Sequence, residues 1–313
     1  MKTLISGSSG MIGKALSSHL INHDCSVVRL VRRPVIDELM EVSWDIDKGE
    51  IDSSKLEGFD AVIHLGGVNV ADKQWTRGQK AKIMSSRVKS TALLSETLSK
   101  LTNKPKVFII ASGINIYGEN ELDAEPFTET SSELGIDFLA EVVRSWEEAT
   151  KLAQAAGIRV CFVRLSAVLG PTGGLLCKIL PMFKMAAGGR LGNGKQMMSW
   201  ISIEDAVAAI HHCLIKDEIS GPVNLCTKNV VSNREFTKAL AKAVGMPSFI
   251  ILPAFIITTV LGEMGSALML SSITCSPSKL EKTGFEFTQP TLRECLNFQL
   301  KVDVQAIETS KDN

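Results

Sequence analysis

The chain has 313 residues, 45% of them hydrophobic and 22% charged, with 34 Lys+Arg balanced by 34 Asp+Glu. That length buries a large core without covalent staples, in one α/β domain with an added lobe or in two domains. Zero net charge gives no electrostatic footprint for nucleic acid or an anionic membrane. The seven cysteines (Cys25, Cys161, Cys177, Cys213, Cys226, Cys275 and Cys295) are odd in number, scattered and without a C-x-x-C, which predicts reduced thiols in a cytoplasmic protein.

In chain order, "KTLISG" reads as a short apolar strand ending in glycine, and "MIGKALSSHLINHD" follows with helical periodicity. "CSVVRLVRR" is a second strand, "FDAVIHLGG" a third and "KVFIIASG" a fourth, the last two separated by the long helix "QKAKIMSSRVKSTALLSETLSKL". "GIDFLAEVVRSWEEATKLAQAAG" predicts one helix with Asp137 at its N-cap, Glu147 and Lys151 as an i,i+4 pair and Gly157 as its stop. "IRVCFVRLSAVLG" is a fifth strand. This alternation predicts a Rossmann-type, doubly wound parallel sheet.

After Gly170 the chain becomes rich in Gly and Met, reading as a helix, a loop and a hairpin, then the helix "SIEDAVAAIHHCLIK" and the strand "GPVNLCT". Helices dominate from Ser232. The expected organisation is a nucleotide-binding domain over 1–170 plus about 203–227, a smaller, mainly helical C-terminal substrate lobe over 171–202 and 228–300, and a frayed tail over 301–313. The uncharged stretch Ala243 to Gly262 is long enough to span a membrane, but Pro247 and Pro253 interrupt it and no basic clusters flank it. It is expected to be a buried, kinked helical segment. Among the five histidines, His211 and His212 point to different sides of a helix, and no metal-ligand spacing is visible, so no metal is expected.

The chemistry-bearing motif is "ISGSSGMIGKAL", which puts Gly7, Gly10 and Gly13 in G-x-x-G-x-x-G spacing between a strand and a helix. Glycines there let backbone N–H groups approach a pyrophosphate, and the helix N-terminus supplies partial positive charge. An NAD site usually ends the second strand with an acid for the ribose hydroxyl. Here that strand ends in Arg32 and Arg33, which suit a 2′-phosphate through forked, charge-assisted bonds. The expected cofactor is therefore NADP(H).

With "SGSSGMIG", "DAVIHLGG", "SSRV", "FLAEVVRSWE", "VRLSAVLGPTGG" and "LGEMGSALMLSS" on one chain, the sequence resembles the extended short-chain dehydrogenase/reductase superfamily over about residues 1–300. More narrowly, it is similar to the atypical branch called epimerase family proteins, whose older names include nucleoside-diphosphate-sugar epimerase and cell division inhibitor. The resemblance implies that Gly7, Ser9, Gly10, Met11, Ile12 and Gly13 form the phosphate loop and that Arg32 meets the 2′-phosphate, with Arg33 beside it. It places Leu65, Gly66 and Gly67 by the adenosine ribose and Arg87 near the cofactor. Ala111, Ser112 and Val168 stand toward the nicotinamide. Gly66 departs from the more frequent alanine.

Ordinary members of the superfamily carry a Tyr-x-x-x-Lys pair on the helix containing Phe138 and Val142, where tyrosine exchanges a proton and lysine lowers its pKa. The chain has a single tyrosine, Tyr117, so that pair is absent. Phe138 and Val142 occupy its positions, either as core or as the wall of an apolar cleft. Tyr117 and Ser112 remain as candidate catalytic groups, and Arg190, Lys195 and Trp200 could reach the cleft from the second lobe. The resemblance implies a reductase or epimerase of a small carbonyl or sugar-nucleotide. The missing pair keeps open a non-catalytic NADP(H)-sensing regulatory protein.

Overall fold

The computed structural model describes residues 1–121 and 124–309, with side chains as far as Lys301. The first half runs β1 (Lys2–Ser6), α1 (Met11–Ile21), β2 (Ser26–Val31), β3 (Glu41–Asp45), β4 (Glu50–Ile51), β5 (Ala61–His64), α2 (Arg77–Lys100), β6 (Val107–Gly113), α3 (Phe138–Glu148), α4 (Lys151–Ala155) and β7 (Arg159–Leu165). There follow β8 (Ala167–Gly170), α5 (Gly174–Lys184), β9 (Gly189–Leu191), β10 (Met197–Met198), β11 (Trp200–Ser202), α6 (Ile203–Ile215) and β12 (Gly221–Leu225). The chain closes with β13 (Val231–Ser232), α7 (Asn233–Ala243), β14 (Ile250–Leu252), α8 (Ala254–Gly265), α9 (Ser278–Lys282) and α10 (Leu292–Thr309).

Eight strands form one sheet in the order β12-β7-β6-β5-β1-β2-β3-β4, parallel throughout except for the antiparallel pair β3–β4. Successive residues of a strand face opposite sides of the sheet. Accordingly Ile5, Ile63 and Ile109 pack with Leu16, Leu20 and Ile210 on one side. Leu4, Val62 and Phe108 pack with Leu94, Leu98 and Trp146 on the other. Burial on both faces is why these strands read as unbroken apolar runs. From β1 the chain winds outward through β2 and β3, then returns to β5 and winds the other way. The switch point, where such folds open a crevice, lies between the C-terminal ends of β1 and β5.

A second core, including Leu176, Leu180, Phe183, Trp200, Phe236 and Leu296, holds the C-terminal lobe. The chain leaves the sheet after β7, lays β8 against β11, and comes back through α6 to set β12 along β7.

Three local expectations are corrected. The helix from Asp137 is two helices, interrupted where the buried Thr150 turns its hydroxyl back onto the Glu147 carbonyl at 2.7 Å. The stretch Ala243 to Gly262 is not a buried helix. Its middle is β14, paired with β9, and its surface is open, with Phe249 89% and Phe255 69% exposed. Proline explains the break: Pro253 ends the strand and immediately precedes α8. No helix among the described residues is long and apolar enough to cross a membrane. Finally, α10 continues to Thr309, past Lys301 where a frayed tail was expected, and residues 310–313 of that tail lie outside the described residues.

Candidate functional site

The glycine loop sits at the switch point. Gly7 has φ +71°, a left-handed conformation that costs glycine nothing, and a β-carbon on it would stand 2.8 Å from the Leu65 carbonyl carbon. The tips of β1 and β5 can touch only because nothing projects there. A β-carbon on Gly13 would overlap the Gly7 carbonyl oxygen and lie 2.7 Å from the Ser8 α-carbon, so the start of α1 closes directly on the loop. Gly10 caps α1 with no side-chain bond to its first N–H groups, which remain for an incoming acceptor. Ser9 and Gly10 are exposed at this opening. Met11 is clasped by the turn after β8, where a β-carbon on Gly173 would be 3.0 Å from the Met11 β-carbon, and Ile12 packs into the core together with Val168.

Beneath the β5 tip, His64 is fully buried between the Ser6 hydroxyl at Nδ1 and the Ser90 hydroxyl at Nε2, 2.9 Å away. Burial, with a smaller push from Arg87, lowers its pKa to about 3, so the ring is neutral. A β-carbon on Gly66 would press on that ring 3.1 Å away, which gives a physical reason for glycine at this position. Arg87 donates to the carbonyls of Val68 at 2.9 Å and Ile83 at 3.1 Å and lies over the Trp146 ring, and burial lowers its pKa to about 10. Its guanidinium thus props the loop through Gly67 from below.

At the end of β2 the two arginines part company. Arg33 forks onto Glu41 of β3, with Nη1–Oε2 at 2.9 Å and Nη2–Oε1 at 2.6 Å, and Arg29 adds a contact at 3.0 Å. The Arg33 bonds, then the Ile36 N–H, hold Glu41 down at about 2. The sequence reading missed β3, and with it this carboxylate, because "EVSWD" is short and half polar. Arg32 is exposed and has no hydrogen-bond or ion-pair partner among the described residues.

The candidate acid–base groups Tyr117 and Ser112 are both buried and hydrogen-bonded. Tyr117 is 3% exposed, and its hydroxyl donates to Asn224 Oδ1 at 2.8 Å and accepts from Arg164 Nη1 at 2.9 Å. Desolvation outweighs the Arg164 charge and raises its pKa to about 12. Ser112, also buried, donates to Glu147 Oε1 at 2.6 Å, and Arg164 forks onto both Glu147 oxygens at 2.9 Å. Glu147 was expected to pair with Lys151 on a helix surface. It is instead the hub of a buried chain running Ser112–Glu147–Arg164–Tyr117–Asn224, which ties β6, α3, β7 and β12 together, while Ala111 beside it is core. Lys151 pairs with Glu148 at 3.7 Å.

Phe138 and Val142 divide the two readings offered for them. Val142 is core, 2% exposed. Phe138 lines a cleft of about 210 Å³ whose other walls include Trp75, Asn115, Glu119, Glu263 and Ser271. The Trp75 ring meets Phe138 edge-on at 5.1 Å, and the Lys80 ammonium stands 4.8 Å from the Phe138 ring centre while pairing with Glu263. This pair and the Gln74–Val260 bond at 2.6 Å join α2 and its leading loop to α8 across the cleft. From the second lobe, Trp200 is fully buried with its indole N–H on the Asn229 carbonyl, and neither it nor Arg190 nor Lys195 lines the cleft.

A parallel sheet with a side-chain-free cradle at its switch point, and a cleft whose walls come from both the sheet domain and the C-terminal lobe, defines a Rossmann-type dinucleotide-binding protein. The chain belongs to the NAD dependent epimerase/dehydratase family, which matches residues 3–226, and a domain of unknown function (DUF1731) matches residues 252–298. It is 38% identical over 295 residues to an epimerase family protein of Mycobacterium leprae, covering 94% of each chain. It is 32% identical over 310 residues to the epimerase family protein YfhF of Bacillus subtilis, covering 98% of this chain and 100% of that one. Among solved structures, human epimerase family protein SDR39U1 with NADPH superposes with a TM-score of 0.87 at 27% identity, over 96% of this chain and 99% of that one. These place the chain in the atypical short-chain dehydrogenase/reductase branch. The relatives carry the epimerase name and not the cell-division one.

Proposed function

We propose that the protein is an NADP(H)-dependent reductase or epimerase of a small carbonyl or sugar-nucleotide substrate. The observation that carries the cofactor choice is the division of labour at the end of β2: Glu41 occupies Arg33 and leaves Arg32 exposed and unpartnered for a 2′-phosphate. The NADPH held by the human neighbour supports the same reading. The cradle of Gly7, Gly10 and Gly13 fits a pyrophosphate, since any β-carbon at Gly7 or Gly13 would fill it.

When bound, the cofactor supplies the hydride. The chain's own residues orient the reactants and manage the proton. Trp75 and Phe138 give the cleft an apolar wall, and Asn115, Glu119 and Ser271 give it polar groups to fix a substrate. The Lys80–Glu263 pair puts a cation and a carboxylate beside Phe138, the position where ordinary relatives carry their tyrosine. We assign charge stabilisation and proton delivery to this wall rather than to the engaged Tyr117 and Ser112.

Titration of NADPH and NADH into the native protein and Arg32→Ala tests the cofactor assignment. The variant is expected to lose about 10- to 150-fold in NADPH affinity, the factor that about 1.5–3 kcal/mol represents for a charge-assisted bond, with NADH unchanged. Equal native curves for the two dinucleotides would overturn it. NADPH oxidation against a panel of carbonyls and sugar-nucleotides tests catalysis. Tight NADPH binding with no turnover would overturn the enzyme reading in favour of a sensor.

A further inference from the structure

Helix α1 begins at the glycine cradle, and its other end carries a second constellation. His19 lies in its last turn, His23 follows four residues later, and His211 projects from α6, which packs alongside. A ring nitrogen of each comes within 4.8 Å of the other two. His19 Nε2 and His211 Nδ1 are 3.1 Å apart, and the His19 and His23 rings stack with centres 4.2 Å apart. No metal was expected from the sequence because ligand spacing was sought locally, whereas His211 is 192 residues from His19.

We propose that His19, His23 and His211 form a three-imidazole site for a divalent transition metal of the zinc class, with a fourth position open to water. Bonds of about 2.0–2.1 Å at a tetrahedral angle put ligand nitrogens roughly 3.4 Å apart, so the His19–His211 separation nearly fits and only the exposed His23 must swing inward. His23 is held in the tautomer a metal needs. Its Nδ1 lies 2.7 Å from the His19 carbonyl, which can only accept, so Nδ1 carries the proton and Nε2 keeps its lone pair. None of the three makes an ion pair among the described residues, so no carboxylate competes for the site. Imidazole-only ligation suits Zn²⁺, Cu²⁺ or Ni²⁺ over Mg²⁺ or Ca²⁺.

His19 lies nine residues along the chain from Gly10, roughly 13 Å at 1.5 Å per residue, so an ion there stands apart from the dinucleotide. Its role is to tie α1 to α6 and fix the helix whose N-terminus faces the pyrophosphate.

The test uses the full chain without a histidine tag. Zn²⁺ titration by calorimetry is expected to give one ion per chain, and Co²⁺ to give the intense visible bands of four-coordinate geometry. Zn²⁺ should raise the melting temperature, as any ligand of the native state does. His23→Gln and His211→Gln should each abolish the stoichiometric binding, the bands and the thermal shift. Cys177→Ser, which removes an exposed thiol, should leave all three intact. Absence of one-to-one binding, binding that survives both histidine changes, or binding lost in Cys177→Ser would overturn the proposal. His23 is exposed, so His23→Gln decides the matter even if His211→Gln does not fold.

Discussion

Tyr117→Phe distinguishes a structural phenol from a catalytic one. The substitution keeps the ring and its stack on Phe127, whose centre is 5.0 Å away, and removes only the hydroxyl. Two bonds go with it, the donation to Asn224 Oδ1 at 2.8 Å and the acceptance from Arg164 Nη1 at 2.9 Å. A neutral bond contributes about 0.5–1.5 kcal/mol and one to a charged group about 1.5–3, so the loss is about 2–4 kcal/mol. At roughly 2–4 °C per kcal/mol for chains approaching this size, the melting temperature should fall by about 4–16 °C. The pH dependence has a sign as well. Tyr117 titrates near 10.0 when unfolded and at about 12 in the fold. The native state therefore holds the proton more tightly. Its contribution is fully present below pH 10 and is lost as the pH rises toward 12, a limb the variant should lack. The assays are calorimetric melts across pH, with NADPH affinity and turnover measured per folded molecule, and both of these should match the native protein. A variant that melts like the native protein but has lost turnover would refute the structural role and make Tyr117 the acid.

Gly13→Ala should abolish NADPH binding, followed by nucleotide fluorescence, because its methyl group would collide with the Gly7 backbone; affinity within twofold of native would refute the cradle. Acid should weaken the fold through two groups. His64, lowered from 6.5 to about 3, contributes stability present above pH 6.5 and lost as the pH falls through 3. Glu41, lowered from 4.5 to about 2, contributes stability present above pH 4.5 and lost as the pH falls through 2. Urea melts of Glu41→Gln should show a flatter slope below pH 4.5, and a slope equal to native would count against the Arg33–Glu41 fork.

The central sheet was legible because a strand buried on both faces must be apolar throughout, as "VFII" and "AVIH" are. The cradle was legible because only glycine tolerates the Gly7 conformation and the Gly13 contact. Side-chain partnership was not. Glu147 stands at a spacing that favours Lys151, but the buried Arg164, seven residues beyond Gly157, competes with the water-exposed lysine and wins, since charge pairing is stronger out of solvent. The destination of Arg33 depended on an acid in a strand too short to show a period. Ala243 to Gly262 misled through composition alone, because hydropathy does not say whether neighbouring elements are there to cover a surface.

The return of β12 to the sheet bears on how the molecule is made. On the ribosome, β1 through β7 emerge first, yet the β7 edge stays open until residue 225 has been synthesised. Until then Arg159 also lacks its acceptors, the carbonyls of Cys213, Leu214 and Ile219, which arrive with the same stretch. An open strand edge is a template for pairing with another chain. A gene fragment cut after Gly170, at the apparent end of the nucleotide-binding half, would therefore be aggregation-prone, whereas one carried through Leu225 would have β7 paired on both sides and Arg159 bonded to its acceptors.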